Sequence, residues 1–210
     1  MKKYFAFALI IAVAVGAAQL CEGQAKNAKE KEANKLAVEG AEASKNQEWD
    51  KAIDLLRKAS DLDHKYADEL AAVYQQRGYT DATNQQFQDA INDYSEAIKL
   101  TPQDVRVYEQ RAAVEMKLQN YDKALADYSE VIKLKPNEVR YLNYRAYIYE
   151  LKKDLKNSVA DTDKVLKLDP NNQEAKARKN RLLAQEAANV PFTPIPAPSK
   201  KPSPTPHHKP

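Results

Sequence analysis

Pro102, Pro136 and Pro170 stand 34 residues apart, and the residues before each proline repeat with them. Residues 87–100 read Phe-Gln-Asp-Ala-Ile-Asn-Asp-Tyr-Ser-Glu-Ala-Ile-Lys-Leu, and residues 121–134 read Tyr-Asp-Lys-Ala-Leu-Ala-Asp-Tyr-Ser-Glu-Val-Ile-Lys-Leu. Residues 155–168 keep the frame more loosely and end Lys-Val-Leu-Lys-Leu. Self-similarity at this period predicts stacked helix pairs, in which each unit buries its apolar face only against its neighbours.

Within one unit the helical period is explicit. Tyr121, Ala124, Leu125, Tyr128, Val131 and Ile132 recur at the spacing of a single helix face. Pro136 ends that helix, and Lys135 before it is pushed toward an extended backbone. Small residues recur at one frame position (Gly40, Gly78, Ala112, Ala146) and at a second (Ala52, Ala90, Ala124), with Tyr94 and Tyr128 at a third. Small and large residues at fixed offsets let neighbouring helices interlock.

These residues resemble the tetratricopeptide repeat. The resemblance covers about residues 33–172 and is strongest in the pairs ending at Pro102 and Pro136. The fourth pair departs, with Ser158 and Thr162 where Ala124 and Tyr128 stand one unit earlier. The first departs at His64, where later units have Pro, and four extra residues follow it, about one helical turn. The resemblance implies an all-α fold, a right-handed α-α superhelix of about four antiparallel helix pairs. The first helix of each pair would line the concave side.

The expected organisation is a signal peptide over 1–18, a linker and helix start over 19–32, the repeat solenoid over 33–170, a capping helix over 171–190 and a Pro-rich basic tail over 191–210. Met1-Lys2-Lys3 followed by the apolar run Tyr4–Ala18 has the layout of an export signal, with small residues for cleavage after Ala18 or, later, after Gly23. The alternative is an uncleaved anchor over residues 4–21, just short of a comfortable membrane span. Cleavage places the chain in the periplasm or outside the cell; retention ties it to the membrane. Leu20 before Cys21, the only cysteine, is a poor match to a lipidation signal. One cysteine gives no internal disulfide.

Composition narrows the function. Residues 19–190 carry 28 basic and 30 acidic residues, so the body lacks the concentrated positive face that nucleic acid requires. No Cys/His set has metal-ligand spacing and no Gly-rich phosphate loop is present, so neither metal nor cofactor is expected. Carboxylates are scattered among lysines at helical spacing, the pattern of a solvated face. The expectation is a binding protein with no catalytic residues.

Two series recur with the frame: Arg77, Arg111 and Arg145, and Asp93, Asp127 and Asp161. Each is read as serving the repeat, the arginines packing their stems beside a helix while the charge reaches solvent. By the resemblance, the concave side carries Tyr79, Arg106, Glu109, Arg140, Asn143 and Tyr147, the expected contacts to a protein or peptide partner. Arg106 and Arg140 are expected to lie close enough on adjacent units to clamp a carboxylate. Tyr141, Tyr144 and Tyr147 form an aromatic stripe in which Tyr141 either packs between units or is exposed. The Lys/Asn carboxylate clamp of some family members is absent: its positions hold Gln75 and Tyr79, Glu109 and Ala113, and Asn143 and Tyr147. The Pro-rich tail is either a spacer or a ligand for an aromatic groove. The function expected is an exported adaptor for an envelope complex, or a membrane-anchored component of a larger machine.

Overall fold

The computed structural model describes residues 2–189, and side chains over 23–188. The tail over 191–210 lies outside the described residues, and so do the side chains of the apolar segment 4–21. Nine α-helices follow one another among the described residues, with no strand: α1 Lys2–Lys45, α2 Trp49–Leu62, α3 Ala67–Thr83, α4 Phe87–Leu100, α5 Val105–Lys117, α6 Tyr121–Leu134, α7 Val139–Leu151, α8 Leu155–Leu168 and α9 Gln173–Asn189. A 3₁₀ turn, His64–Tyr66, precedes α3. The helices pack in hairpins, α1 on α2, α3 on α4, α5 on α6 and α7 on α8, and each hairpin packs on the next. Among residues 23–188 no helix is long and apolar enough to cross a membrane.

The prolines act as the period implies. Helix α6 stops at Leu134, and Lys135 before Pro136 leaves the helical region at φ −135°, ψ 77°. Helix α4 ends the same way, with Thr101 before Pro102 at φ −129°, ψ 71°. The extra residues near His64 lengthen the following helix: α3 has 17 residues where α5 and α7 have 13. One added turn keeps the same face inward.

The turn inside each hairpin was not legible. Gln47, Gln85, Gln119 and Lys153 adopt φ of 60°, 65°, 58° and 60°. Each follows a helix whose open carbonyls are closed by two backbone bonds. At Gln119 these are its own N–H to Met116 at 3.0 Å and the Asn120 N–H to Glu115 at 2.9 Å. This is the left-handed C-terminal cap usually given to glycine. Here residues with a Cβ hold it.

Two apolar cores run along the stack and share Ile98 at their boundary. Tyr94 and Tyr128 are buried at 1 % and 5 % exposure, beside the small residues of the facing helix. A Cβ on Gly78 would sit 3.1 Å from a Tyr94 ring carbon and 3.2 Å from the Ala90 carbonyl, so glycine brings α3 closest to α4. In the fourth pair Ser158 and Thr162 stay buried by bonding backbone: Ser158 Oγ donates to the Ala146 carbonyl at 2.9 Å and Thr162 Oγ1 to the Ser158 carbonyl at 2.7 Å. Their hydroxyls are thereby satisfied inside the core.

The two charged series pair with one another, which corrects the solvent-facing reading of the arginines. Arg77, Arg111 and Arg145 each hold both carboxylate oxygens of the aspartate sixteen residues on, Asp93, Asp127 and Asp161, at 2.6 to 3.0 Å. The aspartates are buried, and a buried carboxylate requires a counter-charge. Arg111 and Arg145 also reach back to the preceding pair, donating to Ser95 Oγ at 2.9 Å and Ser129 Oγ at 3.1 Å. Lys179 of α9 keeps only this backward arm, bonding Asp163 at 2.7 Å.

Candidate functional site

The leading helices α3, α5 and α7 carry the residues expected of the groove. An apolar hollow lies between α5 and α7, with a volume of about 340 Å³. Glu109, Ala113 and Met116 of α5 form one wall, Tyr144, Tyr147 and Ile148 of α7 the other, and Tyr128 of α6 completes it. Tyr144 and Tyr147 expose 42 % and 44 % of their surface, and the Tyr128 and Tyr144 rings lie 5.4 Å apart at 38°. Burial raises the Tyr128 hydroxyl's pKa, with the neighbouring Tyr144 adding to the effect. It therefore stays neutral at any ordinary pH. Apolar walls with a few polar groups at the rim are what a ligand pocket offers.

The rim is charged and already paired. Arg140 donates to Glu109 Oε2 at 2.9 Å and to the Tyr141 hydroxyl at 2.6 Å, and that hydroxyl donates to the same Glu109 oxygen at 3.2 Å. The Arg140 guanidinium stands 4.7 Å from the Tyr141 ring centroid. Tyr141 is buried at 4 % exposure, so of the three stripe tyrosines it is the one packed between units.

Of the six expected contact residues, the structure brings Glu109, Arg140 and Tyr147 to this hollow or its rim. Tyr79 is exposed on α3, away from it. Arg106 lines a separate polar hollow of about 460 Å³ between α3 and α5, together with Gln75. It is held by Asp104, the N-cap of its own helix, at 2.7 and 3.1 Å. Arg106 and Arg140 therefore do not converge on one acceptor; each has its own carboxylate.

Asn143 is 6 % exposed and accepts from Arg178 Nη1 at 3.1 Å. It faces α9 rather than a groove, because α9 packs beside α7 as the next leading helix would. Arg178, at 1 % exposure, is the residue that sequence reasoning missed. Its Nη2 donates to Glu174 at 2.6 Å, and its Nε lies 3.4 Å from Glu150 without a hydrogen bond. Glu150 accepts from Arg181 at 3.0 and 3.1 Å. Hydrogen bonding to Arg181 is the main cause that holds the Glu150 carboxyl below its ordinary value, and Arg178 contributes. The signal was present: Arg178 stands 34 residues after Tyr144, on the inward side of a leading helix.

Among the described residues no group of His, Cys, Asp or Glu is placed to hold a metal ion. The acidic cleft by Arg77, about 660 Å³, is lined by Asp50, Asp81, Asp89 and Asp93; Arg77 holds Asp93 and bonds Asp50 at 2.6 Å.

Known proteins match this architecture. The Arabidopsis OM64 TPR domain is 28 % identical and superposes with a TM-score of 0.50, over 57 % of this chain and 98 % of that one. The first TPR of Spaghetti (RPAP3), bound to the HSP90 peptide SRMEEVD, gives 21 % identity and a TM-score of 0.51, over 57 % and 95 %. A tetratricopeptide repeat protein from Parabacteroides merdae gives 18 % and 0.55, over 75 % of this chain and 61 % of that one. No curated protein matches. The family described as the ETO1 C-terminal domain matches residues 45–187. The chain belongs to this family and has the tetratricopeptide repeat fold.

Proposed function

We propose that the protein is a non-enzymatic adaptor that holds an extended peptide segment of a partner against α5 and α7. The observation that carries this reading is the apolar hollow with Tyr144 and Tyr147 standing exposed at its edge. Exposed aromatics beside an arginine are the groups that dominate binding hot spots. A neighbour of the same fold holds a short peptide, which supports a peptide as the class of ligand. A terminal carboxylate is not the recognised feature, since Arg140 at this rim is already held by Glu109 and Asn143 is covered by α9.

The export layout of residues 1–18 supports placement in the periplasm or outside the cell, in assembly of an envelope complex. The second reading, a membrane-anchored component, is favoured by the backbone of α1, which runs as one helix over Lys2–Lys45. The mass of the mature protein separates the two. The adaptor reading is tested by crosslinking capture from the native source, with wild type beside Tyr144→Ala, Tyr147→Ala. A partner lost only by the variant, with an unchanged helical melt, supports it. A partner kept by both overturns this groove as the site.

A further inference from the structure

We infer that the groove between α5 and α7 is occupied, in the resting protein, by the chain's own Pro-rich segment 194–206. This inference rests on the adaptor reading of the same groove and adds its regulation. The segment reads Pro-Ile-Pro-Ala-Pro-Ser-Lys-Lys-Pro-Ser-Pro-Thr-Pro, six prolines in thirteen residues with no acid. Proline fixes φ near that of the polyproline II helix, so little conformational freedom remains to be lost on docking. Such helices dock in shallow aromatic-lined grooves, where rings grip the pyrrolidine edges. Tyr144 and Tyr147 are exposed rings on the wall opposite Met116 and Ala113. Glu109 at the rim is already paired with Arg140, so the contact rests on the prolines and the rings rather than on Lys200 and Lys201.

The reach is sufficient. The contact of Arg181 with Glu150 fixes α9 alongside α7, one turn from Tyr147. Asn189 lies eight residues beyond Arg181, about 12 Å further along the axis. Returning that distance and crossing one helix width, about 10 Å, needs about 22 Å, which seven residues of extended chain span. Residues 190–193 with the first part of the segment supply that link, and the rest lies over the tyrosines. The attachment in cis gives a local concentration on the order of millimolar, enough for a weak contact to be occupied.

The test uses a labelled peptide of residues 191–206, titrated into the full chain and into a chain ending at Asn189. The shortened chain is expected to bind the peptide, and the full chain at least about tenfold more weakly, because its own segment competes. Tyr144→Ala, Tyr147→Ala in the shortened chain is expected to abolish binding. No binding to the shortened chain, or equal binding to both chains, overturns the inference. Competition that grows with protein concentration, together with a dimer mass, overturns docking in cis and assigns the segment to a second copy. Partner capture with the shortened chain separates the two readings. A tyrosine-dependent partner without peptide binding defeats this inference alone; loss of both defeats the adaptor reading as well.

Discussion

Arg111 donates through Nε and Nη2 to the two carboxylate oxygens of Asp127, at 3.0 and 2.6 Å, from one helix of a hairpin to the other. Burial raises the Asp127 pKa, and the arginine opposes that. Removing Arg111 leaves the Asp127 charge buried. Arg111→Met alone is expected to cost about 3–5 kcal/mol, whereas Arg111→Met with Asp127→Leu is expected to fall near wild type. Urea unfolding of the three proteins checks this. Equal losses in the single and double variants would remove the pair from the account.

The left-handed turns are strained by their side chains. A Cβ at positive φ costs about 1–2 kcal/mol, partly offset by the unfolded-state freedom that glycine adds. Gln119→Gly is expected to stabilise the chain by about 0.5–1 kcal/mol, and Lys153→Gly by a similar amount. A lowered melting temperature in both would show that the side chains contribute contacts the backbone angle does not reveal.

Alkaline unfolding is expected to begin with the core tyrosines. Burial pushes the Tyr94 hydroxyl up to about 12, and raises Tyr128 as well. A phenol raised above its unfolded value near 10 stabilises the fold fully below that pH, and the contribution is lost as pH rises toward 12. Stability measured across this window should fall, and Tyr94→Phe should fall less. An identical alkaline profile for Tyr94→Phe would exclude Tyr94 as a cause.

Acid acts at the other end of the stack. The Glu150 carboxyl is held below its ordinary value of 4.5, chiefly by Arg181. Its stabilising effect is present above that value and is lost as pH falls through the lowered one. The protection of α9 amides against exchange, relative to the intrinsic rate at each pH, should fall below about pH 4, ahead of α5 and α6. Glu150→Gln should show the faster exchange already at pH 7. Exchange in α9 that is insensitive to both changes would mean that its apolar contacts through Ala175 and Leu182 hold it unaided.

The fold was legible because the prolines, the small residues and the apolar stripe of α6 all repeat at one period. Each reports the same packing. The site was legible only in part. The family resemblance put Tyr147, Glu109 and Arg140 on the inner side of leading helices, and the structure sets them at the hollow or its rim. Asn143 was misplaced because α9 looked like a plain cap, when it also covers the inner face of α7 with Arg178. The Arg and Asp series were each seen, yet not joined, although both members of every pair stand sixteen residues apart. The left-handed turns gave no signal, since neither glutamine nor lysine announces a positive φ.

The double reach of Arg111 and Arg145 has a consequence for how such a chain can change length. Each guanidinium meets a carboxylate in its own pair and a hydroxyl in the pair before. Excision of residues 105–138 would bring Arg145 to Ser95 with Asp161 still in place, so the bonding would heal across the cut. Excision of one residue more or fewer would turn the guanidinium off its partners. Whole units can therefore be lost or duplicated without a mismatch at the join, and the polar register acts as a ruler for the insertions the architecture tolerates.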